Sequence, residues 1–167
     1  MILLNNNDIL TRLRYALDIK DTAMVEIFEL GGMETTKEEV QKMLSKSKED
    51  EAQENEYVKE VNNTMLESFL NGFVSLKRGV QDVKPENEQN QFLMTDRNVN
   101  NILLKKMKIA LSLTSEDMLE ILQDAGVNLS KSELSAVLRK EGHRNYKECG
   151  DRYARNFLKG LALRYRE

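Results

Sequence analysis

Apolar residues recur along this chain at the three- to four-residue spacing of an amphipathic α-helix. The first such stripe consists of four aliphatic residues near the N-terminus: Ile9, Leu10, Leu13 and Leu17. Asn7 or Asp8 is placed to cap the helix that carries this stripe. The next stripe stops at Gly31 and Gly32, as helix C-termini often do. Sustained alternation, which is typical of strands, is absent. The pattern therefore predicts an all-α protein.

The helical pattern occurs twice in the sequence. Residues 6–44 align with residues 100–138 under a shift of 94, with 12 identical positions that include glycine and polar asparagine. The match resumes further on under a shift of 88, where the sequence FLNG at 69–72 meets FLKG at 157–160. Because repeated polar residues and glycines rarely coincide by chance in two amphipathic segments, we interpret the chain as an internal duplication.

Each copy is predicted to hold four helices. Residues 36–39 and 130–133 have the sequence of a capping box, which marks the start of the third helix in each copy. Asn63 and Asp151 align under the second shift, and we predict both as N-cap residues of the fourth helix. The fold class that follows is two tandem pseudo-symmetric four-helix units packed together, around a pseudo-twofold axis.

Two glycines occupy the middle of the predicted fourth helices. Gly72 and Gly160 align with each other, and a mid-helix glycine costs about 1 kcal/mol relative to alanine. Since the same cost is present in both copies, we predict that a neighbouring helix approaches too closely for a Cβ.

The domain limits follow from composition. We predict a first helical repeat at residues 1–78, a linker at residues 79–97 that holds the only proline, and a second repeat at residues 98–167. Residues 46–60 are charged and nearly free of apolar side chains, and we predict a loop or a solvated helix extension there. One globule is favoured over two separate units, because each unit alone is too short to build a large core.

Composition excludes several classes of site. The chain has one Cys and one His, so a disulfide scaffold and a multi-His or Cys-based metal site are excluded. We expect no cofactor and no bound metal. No apolar run reaches the ~18–20 residues of a membrane span, and the start MILLNNND is too short for a signal peptide. We therefore expect a cytoplasmic protein with no membrane association.

Catalytic patterns are sparse. The phosphate-binding patterns GxxxxGK[ST] and GxGxxG do not occur in the sequence. His143, the single imidazole, falls in a polar stretch and is interpreted as a solvated loop residue. Cys149 precedes a predicted helix, where the helix N-terminus can lower a thiol pKa, but a small buried Cys fits the pattern better. An enzyme that uses Cys149 or buried carboxylates is a weak alternative, and no catalytic residue is predicted.

Charge is unevenly spread. Residues 1–90 hold 11 basic and 18 acidic side chains, whereas residues 91–167 hold 14 and 10. The basic second half could contact phosphates, and its candidate nucleic-acid-binding residues are Lys105, Lys106, Lys108, Arg144, Lys147, Arg152 and Arg155. The second and third helices of each copy also have roughly the outline of a helix-turn-helix, with a connection longer than usual. An overall pI near 5.4 argues against a dedicated nucleic-acid binder.

Four segments resemble a known family. They are NNDILTRLRYAL at 6–17, FLNGFVSLKRG at 69–79, NNILLKKMKIALSL at 100–113 and HRNYKECGDRYARNFLKGLA at 143–162. Together they are similar to the YehS-like bacterial proteins, a family of unknown function. The resemblance implies a short, cytoplasmic, bacterial protein with a duplicated helical unit. It implies no activity, cofactor or functional residue.

The leading functional hypothesis is a non-enzymatic binding or adaptor module for a protein partner. It is based on the missing catalytic clusters and on the grooves that duplicated helix pairs create. The alternative is a nucleic-acid-associated regulatory protein that uses the basic second repeat. Monomer and homodimer both remain open.

Overall fold

The computed structural model describes residues 4–46, 57–79, 94–140 and 142–166. Within these ranges the chain forms eight α-helices and no strand, apart from one isolated bridge between Lys46 and Tyr57. The helices are α1 (Asn6–Ala16), α2 (Asp21–Leu30), α3 (Lys37–Leu44), α4 (Asn63–Arg78), α5 (Val99–Ala110), α6 (Ser115–Asp124), α7 (Lys131–Leu138) and α8 (Asp151–Tyr165). The all-α prediction is confirmed.

The duplication is visible in the backbone. The bounds of α6 and α7 are those of α2 and α3 displaced by 94 residues. The turn after the first helix of each unit holds a residue with positive φ, 51° at Asp18 and 54° at Ser112. Gly32 and Gly126 follow the second helices with φ of 92° and 93°. Two tandem units of four helices are therefore confirmed, whereas their outer limits at 1–78 and 98–167 stay a prediction.

Two predicted segments lie mostly outside the described residues. Of the predicted loop at 46–60, the structure describes only residues 46 and 57–60, and of the predicted linker it describes only residues 79 and 94–97. Met94, near the end of that linker, is buried. Its backbone N–H donates to Glu67 Oε1 at 2.7 Å, so the chain is already fixed against α4 before α5 begins.

The predicted N-caps are wrong by one to three residues. Asn5 caps α1, and its side chain accepts from the Asp8 backbone N–H at 2.7 Å, whereas Asn7 and Asp8 lie inside the helix. Asn62 caps α4, so that Asn63 is the first helical residue instead of the cap. Neighbouring asparagines are equally suitable caps by residue type, and the choice is made by what the other side chains contact.

The N-cap of α8 also differs from the prediction. Gly150 occupies the cap position and Asp151 is the first helical residue, because its carboxylate accepts from Asn100 Nδ2 at 2.8 Å instead of from its own helix. The predicted caps of α3 and α7 agree with the structure in position. Thr36 accepts from the Glu39 backbone N–H on α3 without the reciprocal bond of a capping box, whereas Ser130 forms a full capping box with Glu133 on α7.

Four helices, α1, α4, α5 and α8, begin at the same end of the molecule. Asn6 Nδ2 donates to Asn63 Oδ1 at 2.8 Å, which joins the starts of α1 and α4. Asn63 Nδ2 in turn donates to Asp96 Oδ1 at 2.9 Å, just before α5. The Leu4 backbone N–H donates to Asp151 Oδ2 at 3.1 Å, which joins the starts of α1 and α8. Hydrogen bonds thus join helix starts of both units at this end of the molecule.

The opposite ends of these helices also meet across the units. Arg78 at the end of α4 donates to Ser112 Oγ after α5 at 2.9 Å. Arg166 after α8 donates to the Tyr15 carbonyl at the end of α1 at 2.8 Å. Helix α4 is therefore parallel to α5, and α1 is parallel to α8. The first helix of each unit packs mainly on the last helix of the other unit, so the two units are interleaved around a pseudo-twofold axis.

The remaining helices cover this centre from outside. Helix α2 crosses α4 and α6 crosses α8, at the two glycines singled out in the sequence. A Cβ on Gly72 would overlap the carbonyl oxygen of Ile27, and a Cβ on Gly160 would overlap that of Ile121. The predicted close approach is confirmed in both units. Because this contact is backbone to backbone, no rotamer change can relieve the overlap.

Candidate functional site

Two buried asparagines occupy equivalent places in the two units. Asn7 Nδ2 donates to the carbonyls of Met43 and Lys59 at 2.9 and 2.7 Å, and Asn7 Oδ1 accepts from the Val61 N–H at 3.0 Å. The side chain thereby joins α1 to the end of α3 and to the segment that leads into α4. Since a buried amide is costly unless it is hydrogen-bonded, this residue is structural.

Asn101 repeats that arrangement in the second unit. Its Nδ2 donates to the carbonyls of Val137 and Lys147 at 2.9 and 2.8 Å, and its Oδ1 accepts from the Cys149 N–H at 2.8 Å. These three partners are the repeat equivalents of the partners of Asn7. The repeated asparagine in the sequence therefore reports a structural bridge and no catalytic group.

Cys149 stands where the first unit has Val61. Its side chain is buried, and the void beside it, of about 10 Å³, has room for no more than about one water. Burial, followed by the charge of Asp151, raises the pKa of the thiol to about 12. The structure thus supports the interpretation of Cys149 as a small buried residue and leaves it without thiolate reactivity at neutral pH.

His143 lies in an exposed turn, as the sequence predicts. Its Nδ1 accepts from the Asn145 backbone N–H at 3.0 Å, and its own backbone N–H donates to the Lys140 carbonyl. The imidazole therefore stabilises its own turn.

The seven predicted nucleic-acid-binding residues lie on several surfaces. Lys105 and Lys108 line a groove between α5 and α7, whereas Lys106 is largely buried and lies within the electrostatic influence of Glu67 on α4. Arg155 lines a different groove, between α1 and α8. The other three residues are found before or at the start of α8: Arg144, Lys147 and Arg152. Lys106 is separated from Lys105 and Lys108 because successive residues of a helix point about 100° apart, and the other four residues lie before or on α8.

The α1–α8 groove is formed by two parallel helices from different units. Its cations are Arg12, Arg155 and Lys159, and its apolar part includes Tyr15, Leu158 and Ala162. No carboxylate is among its lining residues in the part of the chain that the structure describes. Tyr15 is 55% exposed, and the Arg166 guanidinium lies 4.0 Å from the centroid of its ring. The groove therefore combines positive charge with an accessible aromatic side chain.

The equivalent seam between α4 and α5 has a different charge. The repeat alignment replaces Arg155 by Glu67, Lys159 by Asn71 and Arg12 by Lys106. Burial lowers the pKa of Lys106, and the neighbouring charge of Glu67 opposes that shift. One seam thus sets a carboxylate beside its cation, whereas the groove at the other seam is lined by cations.

The sequence missed Arg12, Tyr15 and Lys159 as site residues. Lys159 follows Arg152 and Arg155 at i+7 and i+4, which places the three on one helix face, and this spacing was a usable signal. Arg12 forms a short basic run with Arg14 in the sequence, but only the packing of α1 on α8 brings it beside Arg155.

The described residues offer neither a metal site nor a membrane-spanning helix. Within residues 4–46, 57–79, 94–140 and 142–166, no three His, Cys, Asp or Glu side chains are grouped so as to hold a metal ion. Among the same residues, no helix has the length and apolarity needed to cross a membrane.

Comparison with known proteins agrees with the duplicated fold. The family described as "protein of unknown function (DUF1456)" matches twice, at residues 6–79 and 100–167. The chain belongs to this family. A relative in Escherichia coli K12, described as "Uncharacterized protein YehS", is 38% identical over 159 residues, which are 95% of each chain. The resemblance to the YehS-like proteins is confirmed, and with it the bacterial family of unknown function. No solved structure matches the chain.

The α1–α8 groove lies between the two segments that match the family. Each match covers one helical repeat, and the α1–α8 groove takes one wall from each repeat. A single repeat of this DUF1456 protein therefore cannot supply the complete groove.

Proposed function

We propose that this DUF1456 protein is a non-enzymatic binding module of the cytoplasm whose α1–α8 groove holds an acidic, amphipathic helix of a partner protein. The observation that carries the proposal is the one-sided charge of the groove lining. Arg12, Arg155 and Lys159 line it without a carboxylate among its described lining residues. The other seam of the same duplicated scaffold has Glu67 in the place of Arg155.

The chemistry of the partner follows from the two kinds of surface in the groove. Tyr15 and Ala162 offer apolar contacts beside the three cations. An amphipathic helix places its apolar residues on one face and its acidic residues at the flanks, which fits an apolar strip bordered by positive charge. Charge complementarity would supply specificity and association rate, and the apolar contacts would supply much of the affinity.

The test is a selection from a displayed library of bacterial proteome peptides, with the full-length protein as bait. We expect enriched peptides to be acidic and amphipathic, and to lose at least tenfold in affinity for the double variant Arg155→Glu and Lys159→Glu. The double variant Arg155→Gln and Lys159→Gln should show a smaller loss, since it removes charge without adding repulsion.

A matched control places the same charge change elsewhere. Lys37→Glu with Lys42→Glu alters the net charge equally, but both residues lie on α3 and neither lines the groove. This control should leave peptide affinity within about twofold, because the Debye length at physiological salt is about 8 Å. Enriched peptides without net negative charge, or equal losses for the two double Glu variants, would reject the proposal.

A further inference from the structure

A second groove, separate from the α1–α8 groove, lies between α5 and α7. Four cations and two hydroxyl groups line it: Lys105, Lys108, Arg139, Lys140, Ser115 and Ser135. The groove is open and has a volume of about 540 Å³. Its lining residues in the described part of the chain include neither a carboxylate nor an aromatic side chain. Positive charge is therefore concentrated along this lining.

At the equivalent place in the first unit, a carboxylate neutralises the positive charge. There Arg14 forms a salt bridge with Asp21 at 3.2 Å, and Gln41 Nε2 donates to the other carboxylate oxygen of Asp21 at 3.3 Å. Asp21 thus ties α1, α2 and α3 together. Under the repeat shift of 94, Asp21 becomes Ser115 and Gln41 becomes Ser135. The second unit keeps the cation, as Lys108, and has a hydroxyl in place of the carboxylate.

Arg139 provides a second, independent observation. Its Nε is buried and has no hydrogen-bond acceptor among the described residues. A buried donor without an acceptor is destabilising, and more so when the group is charged. An anion bound in the groove would contact this guanidinium through its Nη groups, since Arg139 lines the groove and a guanidinium binds phosphate oxygens through several N–H groups at once.

We infer that the α5–α7 groove binds linked phosphate groups. Lys105, Lys108 and Lys140 supply positive charge, Arg139 supplies directed N–H donors, and the two serines supply hydroxyl donors. No aromatic side chain is among the described lining residues, so the groove has no aromatic platform for a nucleobase. Its lysines and serines recognise the phosphates, whose source is a free oligophosphate or the backbone of a nucleic acid. This site does not depend on the peptide groove proposed above.

The first experiment is calorimetric titration of the full-length protein with inorganic triphosphate at constant ionic strength. The decisive variant is Ser115→Asp, which restores the carboxylate of the first unit beside Lys108. We expect triphosphate binding to weaken at least tenfold. An acidic residue in the first turn of α6 is compatible with the helix dipole, so the variant should fold.

The control is Gln123→Glu, which adds the same charge to the exposed end of α6, about 12 Å farther along the helix axis. It should change triphosphate affinity by less than about twofold. A second test variant, Lys105→Gln with Lys108→Gln, removes two cations and adds no charge, and it should weaken binding to a similar extent. No binding by the wild type, or equal affinity in wild type and Ser115→Asp, would overturn the assignment.

The second experiment distinguishes the two phosphate sources. A fluorescein-labelled single-stranded oligonucleotide is titrated with the same variants and followed by anisotropy. Oligonucleotide binding that Ser115→Asp weakens, and that falls steeply with salt, supports the site with nucleic acid as its source. Triphosphate binding alone supports the site with a free oligophosphate. Oligonucleotide binding that Ser115→Asp leaves unchanged counts against a nucleic acid at this groove.

Discussion

The two units of this protein share their buried polar hydrogen bonds but differ in their surface charges. Asn7 and Asn101 make the same three hydrogen bonds, with lengths that agree within 0.2 Å. On the surface, by contrast, the repeat alignment pairs Asp21 with Ser115 and Glu67 with Arg155. The buried polar contacts of the repeat have been kept, because losing any one leaves a desolvated group without a partner. Surface charges carry no such penalty, and both proposed sites lie where they have changed.

The units also differ in how closely their helices cross. In the first unit both residues at the crossing of α2 and α4 are glycines, Gly31 and Gly72, and a Cβ on Gly31 would overlap the carbonyl oxygen of Ser68. In the second unit Ala125 takes the place of Gly31, and only Gly160 remains at the crossing of α6 and α8. The first crossing is therefore the tighter one, and it tolerates less added volume.

The largest effect is expected at this crossing. Gly72→Ala should lower the free energy of unfolding by about 3 kcal/mol or more, because the new methyl group meets a backbone carbonyl that cannot rotate away. Gly160→Ala should cost less, since its overlap is smaller. Chemical denaturation followed by far-UV circular dichroism measures both values.

Gly150→Ala is the matched control for these substitutions. Gly150 has φ −74°, and a Cβ added to it would meet no atom within 4 Å, so this change should cost less than about 1 kcal/mol. If Gly72→Ala were as mild as the control, the close crossing of α2 and α4 would be wrong.

The second prediction concerns the two buried asparagines. Asn7→Ala and Asn101→Ala should each lower the free energy of unfolding by about 2–3 kcal/mol, because each leaves two carbonyls and one N–H without their partner. The two losses should agree within about 0.5 kcal/mol, since the hydrogen bonds match. Urea denaturation of both single variants tests this. If only one variant lost stability, the two asparagines would not contribute equally to the free energy of unfolding, although their hydrogen bonds match.

The smallest effect is expected where the units already differ in the core. Cys149→Val installs the residue of the first unit, Val61, and at pH 7 should change the free energy of unfolding by less than about 1 kcal/mol. Iodoacetamide should label folded wild-type protein slowly, because burial raises the pKa of the thiol to about 12.

The same substitution should alter the alkaline pH dependence. The thiol pKa rises from an ordinary 9.0 to about 12 on folding, so the unfolded chain loses this proton first as pH increases. The stabilisation from the neutral thiol is full below pH 9 and is lost as pH rises toward 12, with a limiting slope of about 1.4 kcal/mol per pH unit. Cys149→Val should lack this contribution, while the other titrating groups are common to both proteins. If the free energy of unfolding of the wild type and of Cys149→Val depended on pH in the same way between pH 9 and 12, the burial of Cys149 would be contradicted.

The sequence predicted some details well and others poorly. Gly72 and Gly160 predicted a close helix contact, because glycine in the middle of a helix lowers helix stability and close packing is the reason to keep it in both copies. The N-caps of α1 and α4 were misplaced because neighbouring residues are Asn or Asp, and all of them suit a cap. The pattern could not show that Asn7 is buried, since its three partners include Met43 and Lys59, which are far away along the chain.

The candidate sites were predictable only in part. Lys105, Lys108 and Arg155 were among the basic residues singled out from the sequence, but the structure assigns the first two to one groove and the third to another. Arg139 belongs to the basic residues of the second half that could contact phosphates, whereas Ser115 gave no signal of its own. Their assignment to the phosphate groove depends on a comparison with the first unit. That comparison needs both the repeat alignment and the position of Asp21.

The amino-acid pattern by itself determined the helices, the duplication and the buried faces, because helix periodicity and capping are local and each unit repeats them. The tertiary structure alone decided that the units interleave, with the first helix of each lying parallel to the last helix of the other. That choice depends on the fit between faces distant in sequence, and it decides which charges share a groove. Local periodicity contains no information about such partners.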